Sequence, residues 1–197
     1  GSPKSAGYLY GMNFNRHITQ AEFSRLAEFL RAEGTERSFF RGECLAEQGL
    51  RSHRAGLVVR GAFRYAHADA AGGEHVVGYA FAGEFVGDYI SMRIDTLSQV
   101  TIGAMCDAAA LVVTGERLEA FYRTDAAHER LGRTLAEHML AEVYERLLDR
   151  YAASPQQRYE TLLERCPDLL QLVSLRELAS YLGVRPETLS RIRGRIR

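Results

Sequence analysis

Glu187, Ser190 and Arg191 stand within five consecutive residues, and their functional groups suit the edges of base pairs. A guanidinium can donate two parallel hydrogen bonds to O6 and N7 of guanine, and a carboxylate can accept from N4 of cytosine. On a helix, Glu187 and Arg191 share one face. The same spacing suits an intrahelical ion pair, worth about 0.2–0.5 kcal/mol, which would orient the guanidinium before it met a base. Ser190 and Thr188 suit a base, a phosphate or water, and Arg185, ahead of the helix, suits the phosphate backbone. From Arg185 to Arg197 there are five Arg and one Glu, in a chain of 197 residues with 25 basic and 25 acidic side chains. A surplus of four positive charges on a neutral chain makes a local phosphate-facing surface, not a general basic coat.

The elements that must position these groups are legible around them. Ser174-Leu175-Arg176-Glu177 is a capping box that opens one helix. Ala179 is small where a second helix must approach, and Gly183 can take the left-handed turn between the two. Pro186 then opens the second helix. Leu178, Leu182, Val184, Leu189 and Ile192 bury between the helices, which leaves the polar residues outside. An amphipathic helical hairpin has the same pattern, and the concentrated charge favours a helix-turn-helix that enters the major groove.

Upstream the texture changes twice. Thr19-Gln20-Ala21-Glu22 reads as a capping box opening a short helix that ends at Gly34. From Ser38 to about Thr114, short apolar runs (57–59, 76–79, 100–102, 111–113) alternate with glycines, which predicts an antiparallel barrel or jelly roll with a hairpin turn at Ala71–Glu74. From His128 to Tyr151 a long helix carries Leu131, Leu135, Met139, Val143 and Leu147 at four-residue steps, widened by Leu140 and Leu148. That stripe suits either its own domain or the same helix of a second subunit. Ser154-Pro155-Gln156-Gln157 opens a further helix that stops at Cys166-Pro167. The predicted fold class is α+β, with a barrel domain over 1–127, a dimerisation helix and linker over 128–153, and an all-α head over 154–197.

Composition narrows the function classes. No apolar run is long enough to span a membrane, and the first residues lack a secretory pattern, so a cytoplasmic protein is expected. Gly1 and Ser2 read as a cloning remnant. Cys44, Cys106 and Cys166 are too scattered for a disulfide framework or a metal cluster and are expected to be buried or partly buried thiols. A cupin-like metal enzyme would need converging histidines and a carboxylate. His67 and His75 only straddle the hairpin beside Glu74, which reads as exposed turn residues, so no catalytic or metal site is predicted.

Barrel, long helix and helix-turn-helix in this order resemble the Crp/Fnr family of bacterial transcription regulators over nearly the whole chain. The residues that carry it are Arg158-Tyr159, Leu162-Leu163, Pro167–Leu170 and Leu175 to Ile192, which look like the subgroup common in Bacteroidetes. In the barrel they are Gly42-Glu43, Gly61 and Gly83-Glu84-Phe85-Val86-Gly87-Asp88. Glu187-Thr188-Leu189-Ser190-Arg191 matches the Glu-x-x-Ser-Arg pattern of the family's oxygen-sensor branch. The resemblance implies a homodimer paired through Leu131 to Leu147 and a palindromic double-stranded DNA site, with RNA polymerase as a further partner.

Two departures qualify it. Members that bind cyclic AMP place a Glu in the Gly83–Asp88 segment and an Arg-Ser pair ten residues on. Here Asp88 takes the first position and Ser98-Gln99 the second, so the charged donor a buried phosphate needs is missing. Arg93 could replace it only if the fold brought it there. The expected effector pocket, around Gly87, Asp88, Tyr89, Ser98 and Gln99, is therefore not one for a cyclic nucleotide in the usual way. A haem or other small-ligand sensor, with any of five histidines (53, 67, 75, 128, 138) as axial ligand, is a competing expectation, and no cofactor is certain. The second departure is the absence of a wing after the recognition helix, so backbone affinity is expected from Arg193, Arg195 and Arg197.

Overall fold

The computed structural model describes residues 14–15, 17–19 and 21–196. Its strands form two four-stranded sheets, antiparallel throughout. One sheet runs β1 (Thr35–Phe39), β8 (Ala108–Thr114), β3 (Arg54–Arg60), β6 (Phe85–Gly87). The other runs β2 (Cys44–Ala46), β7 (Thr101–Ala104), β4 (Ala62–Ala68), β5 (Glu74–Phe81). The expected barrel is thus an open sandwich, and β5 is left at an edge. Gly61 makes the step from β3 in one sheet to β4 in the other. Its φ is +78°, and a Cβ there would sit 2.7 Å from that of Ala108, so both conformation and space call for glycine. Phe39, Val58, Phe63, Ala80 and Ile102 fill the space between sheets, with Phe39 and Phe63 edge to face at 5.2 Å.

The hairpin turn lies where the spacing put it. Asp69 accepts from the amides of Ala71 (2.9 Å) and Gly73 (2.8 Å) and pairs with His75, while His67 faces His75 across the ladder and bonds the Gln99 carbonyl. Neither histidine points at a shared centre. Among the described residues no group of three or more His, Cys, Asp or Glu is placed to hold a metal ion. The cysteines are free. Cys166 is buried and Cys44 half-buried, but Cys106 is exposed, because it sits on the turn between β7 and β8, contrary to the expected burial.

Helix α1 (Ser24–Glu33) begins later than the capping box implied. Thr19 Oγ1 still accepts from the Glu22 amide at 3.3 Å, but residues 21–23 form a turn, and Gln20 lies outside the described residues. The short α2 (Tyr89–Arg93) follows β6, and α3 (Gly115–Tyr122) follows β8. With α1 and the start of α4 (Ala126–Ala152) they cover one sheet through Phe23, Leu26, Leu57, Leu118, Tyr122 and Leu135.

Helix α4 is capped by Asp125, which accepts from the amides of Ala127 and His128. Its apolar stripe divides in two. Leu135 is 5% exposed, and Leu131 and Met139 are half-buried against the same sandwich. Val143, Leu147, Leu140, Tyr144, Leu148 and Tyr151 are exposed. Steps of four residues advance around a helix by about 40° each, so Leu131 and Leu147 point about 160° apart. The five residues therefore do not share one face: Leu135 packs inside the chain, and of the five only Val143 and Leu147 are exposed.

The C-terminal helices are α5 (Pro155–Arg165), α6 (Leu169–Leu172), α7 (Leu175–Leu182) and α8 (Pro186–Ile196). The capping boxes at Ser154/Gln157 and Ser174/Glu177 are both closed, and Gly183 takes the left-handed conformation at φ +66°. The all-α head was expected as a domain of its own. Instead Tyr159, Leu162, Leu169, Leu178, Leu182, Leu189 and Ile192 join Val76, Tyr79 and Phe81 of β5 in one buried cluster, with Phe14 wedged among them.

Candidate nucleic-acid interface and effector region

Leu189 is fully buried and Ile192 nearly so, which fixes the rotation of α8 about its axis. Arg185, Glu187, Ser190, Arg191 and Arg195 are consequently exposed on the opposite side, and Thr188 and Arg193 are half-buried at its flanks. Among the described residues no ion pair includes Glu187 or Arg191, so both groups are free to meet a ligand. Arg197 lies outside the described residues.

Arg158 braces the base of this head. Its guanidinium donates to the carbonyls of Ala153 (2.9 Å) and Leu182 (3.2 Å), at the ends of α4 and α7 where carbonyl charge accumulates. Edge strand β5 braces the other side. The Val76 amide donates to Ser180 Oγ at 2.9 Å, Arg64 lies 3.7 Å from Glu177, and Tyr181 packs on Phe14 and Tyr79. Sequence reasoning missed Ser180, Phe14 and Tyr181. A serine on a helix carries no signal for a partner 104 positions away.

The residues expected around an effector pocket are largely engaged with the chain itself. Asp88 caps α2, accepting from the Ser91 amide, and both Ser91 Oγ and Ser98 Oγ donate to its Oδ2 at 2.6 Å. The carboxylate that could have met a ribose is thus satisfied by the chain's own hydroxyls, and Ser98 is 1% exposed. Tyr89 turns the other way and donates to the Gly132 carbonyl on α4 at 2.9 Å. Gln99 is exposed, and the Gly87 amide donates to Tyr65 Oη at 3.1 Å. Arg93 pairs with Glu119 and lies 5.5 Å over the Tyr122 ring, away from Asp88 and Ser98.

Glu84, in the same segment, is structural. It is buried and accepts from the backbone and side-chain amides of Asn15 and from the Phe81 amide. Burial pushes its carboxyl up, and these donors oppose the shift.

No protein-family model matches the chain, and no curated protein does. Solved structures share its fold. FixK2 from Bradyrhizobium japonicum is 20% identical with a TM-score of 0.70, over 83% of this chain and 84% of that one. The c-di-GMP-responsive global regulator CLP of Xanthomonas campestris is 19% identical with a TM-score of 0.63, over 89% and 90%. The catabolite activator protein of Thermus thermophilus is 20% identical with a TM-score of 0.54, over 89% and 82%. The fold is therefore the Crp/Fnr-like one, and no helix among the described residues is long and apolar enough to cross a membrane.

Proposed function

We propose that this chain is a sequence-specific DNA-binding transcription regulator of the Crp/Fnr type, working as a homodimer in the cytoplasm. The observation that carries this reading is the outward face of α8, where Glu187, Ser190 and Arg191 are exposed opposite the buried Leu189 and Ile192. In this reading α7 and α8 are the helix-turn-helix, within a head spanning 154–197, joined by the helix and linker of 128–153 to the domain of 1–127. Glu187, Ser190 and Arg191 meet base edges. Thr188, Arg185, Arg193 and Arg195 meet bases at the margin or phosphates.

The distal face of α4, from Leu140 through Val143, Tyr144 and Leu147 to Tyr151, pairs with its copy in a second subunit. Two heads then reach successive major grooves about 34 Å apart on a palindromic site, and RNA polymerase is the partner through which such a complex acts. The C-terminal residues favour the subgroup common in Bacteroidetes. Cyclic AMP is not the effector in this reading, because Asp88 and Ser98 satisfy each other and, among the described residues, no Arg or Lys pairs with either.

The test is selection of duplexes from a random pool by the purified chain, followed by anisotropy on the enriched sequence. An inverted repeat with guanine in each half, bound at least about 1,000-fold tighter than random duplex, is the expected result. A pool that emerges unenriched sinks the proposal.

A further inference from the structure

A cleft of about 660 Å³ lies between the segment before β3, the end of α2 and helix α3, with Ser91, which bonds Asp88, in its wall. Arg51, Arg93 and Arg123 line it, with Ser52 in its wall. Ser52 is 5% exposed, and its hydroxyl is buried without a hydrogen-bond partner among the described residues. A buried hydroxyl left unpaired is costly, and its persistence calls for a reason. Nearby, two guanidiniums share one carboxylate. Arg93 donates through Nη1 and Arg123 through Nε to Glu119, which leaves each with further N–H donors. The Arg93 guanidinium carbon also lies 5.5 Å from the centre of the Tyr122 ring. At the mouth, Asp95 is the one non-glycine residue of positive φ (53°) among those described, held there by Arg51.

We propose that this cleft takes a small anion with at least two phosphate or carboxylate oxygens, bound by Arg93 and Arg123 with the Ser52 hydroxyl turning outward to donate, and that this anion is the effector. Asp95, Glu116 and Glu119 balance the three arginines, so recognition comes from directed donors and not from net charge. The path to α4 is short. Tyr122 lies beneath Arg93 and edge-on to Tyr89 at 6.3 Å, and Tyr89 holds the Gly132 carbonyl. A Cβ at Gly132 would stand 2.9 Å from the Tyr122 ring, so this contact has no slack.

The effector role rests on the regulator reading, whereas the binding does not. The full chain is titrated calorimetrically with pyrophosphate and, separately, with succinate. Saturable binding of at least one, with a dissociation constant below about 1 mM, is expected, and the arm that binds distinguishes a phosphate from a carboxylate ligand. Arg93→Gln and, independently, Arg123→Gln should each weaken it about tenfold. Ser52→Ala should weaken it about threefold without lowering the ligand-free Tm, since it removes an unpaired group. Failure of both probes, or equal affinity in all three variants, overturns the site. Binding that leaves DNA affinity unchanged overturns the effector role alone. Anion binding by a chain that recognises no DNA would uphold the cleft and remove the regulator reading.

Discussion

Ser180 Oγ accepts the Val76 amide hydrogen at 2.9 Å, so a hydroxyl on helix α7 closes an open position on edge strand β5. Edge amides are left without partners by the sheet itself, and a helix laid across them both satisfies the group and shields the edge. Ser180→Ala would leave the Val76 amide partly buried and unpaired. A loss of about 1–3 kcal/mol in denaturant unfolding is expected, with faster hydrogen exchange at Val76 than at Val58. Unchanged exchange at Val76 would show that the contact is not formed in solution.

In the proposed DNA complex, Arg191 and Arg195 separate base reading from backbone attraction. Arg191→Ala should cost about 1–3 kcal/mol at a guanine-containing half-site and relax specificity there. Arg195→Ala should weaken all duplexes alike and reduce the salt slope by about one. Anisotropy on specific and random duplexes at several salt concentrations decides it, and identical profiles for the two variants would remove the assignment.

The two halves of the α4 stripe should respond differently to substitution. Leu135→Ala opens a cavity inside the chain's own core and should cost about 2–5 kcal/mol of stability. Leu147→Asp, on the exposed half, should leave the fold intact and shift sedimentation from dimer to monomer. A monomeric unsubstituted chain at micromolar concentration would contradict the proposed pairing.

Gly183 holds φ +66°, and a Cβ there would stand 2.9 Å from the Arg150 guanidinium. The flexible Arg150 end can move, but the backbone conformation cannot be relieved. Gly183→Ala should therefore lower stability by about 1–2 kcal/mol, read as a fall in Tm.

Asp125 gives a pH dependence with a definite sign. Its hydrogen bond to the His128 side chain, followed by those to backbone amides, lowers its carboxyl from 3.8 to about 2. A depressed acid contributes stability above its unfolded value and loses it as the pH falls. The contribution is complete above pH 3.8 and disappears as the pH drops through about 2. Asp125→Asn, which still caps α4 but cannot ionise, should flatten that acid limb of the unfolding curve and give up the same contribution at pH 7. An unchanged acid limb would mean the cap does not titrate as the geometry requires.

What was legible in the sequence was local. The capping boxes at Ser154 and Ser174, the left-handed Gly183 and the hairpin turn at Ala71–Glu74 each draw on residues within five positions, and their chemistry is complete in so short a span. Partners distant in the chain were not legible. Asp88 looked like a ligand group because nothing in the residue string shows that Ser91 and Ser98 already occupy it. The α4 stripe looked continuous because steps of four count residues and not degrees. The shared core was hidden for the same reason, since Tyr79 and Leu178 each read as the interior of a separate domain.

That shared core makes a closed mechanical circuit. The sandwich leads through α4 to the head, and the head returns to the sandwich through Ser180, Glu177 and Tyr181 on β5. In a hinged chain with one connection, the head could swing by degrees. With two, any rotation must break the β5 side as a unit, because packed apolar surfaces separate rather than stretch. The head therefore has discrete stations, and its departure from β5 is one step and not a gradual drift.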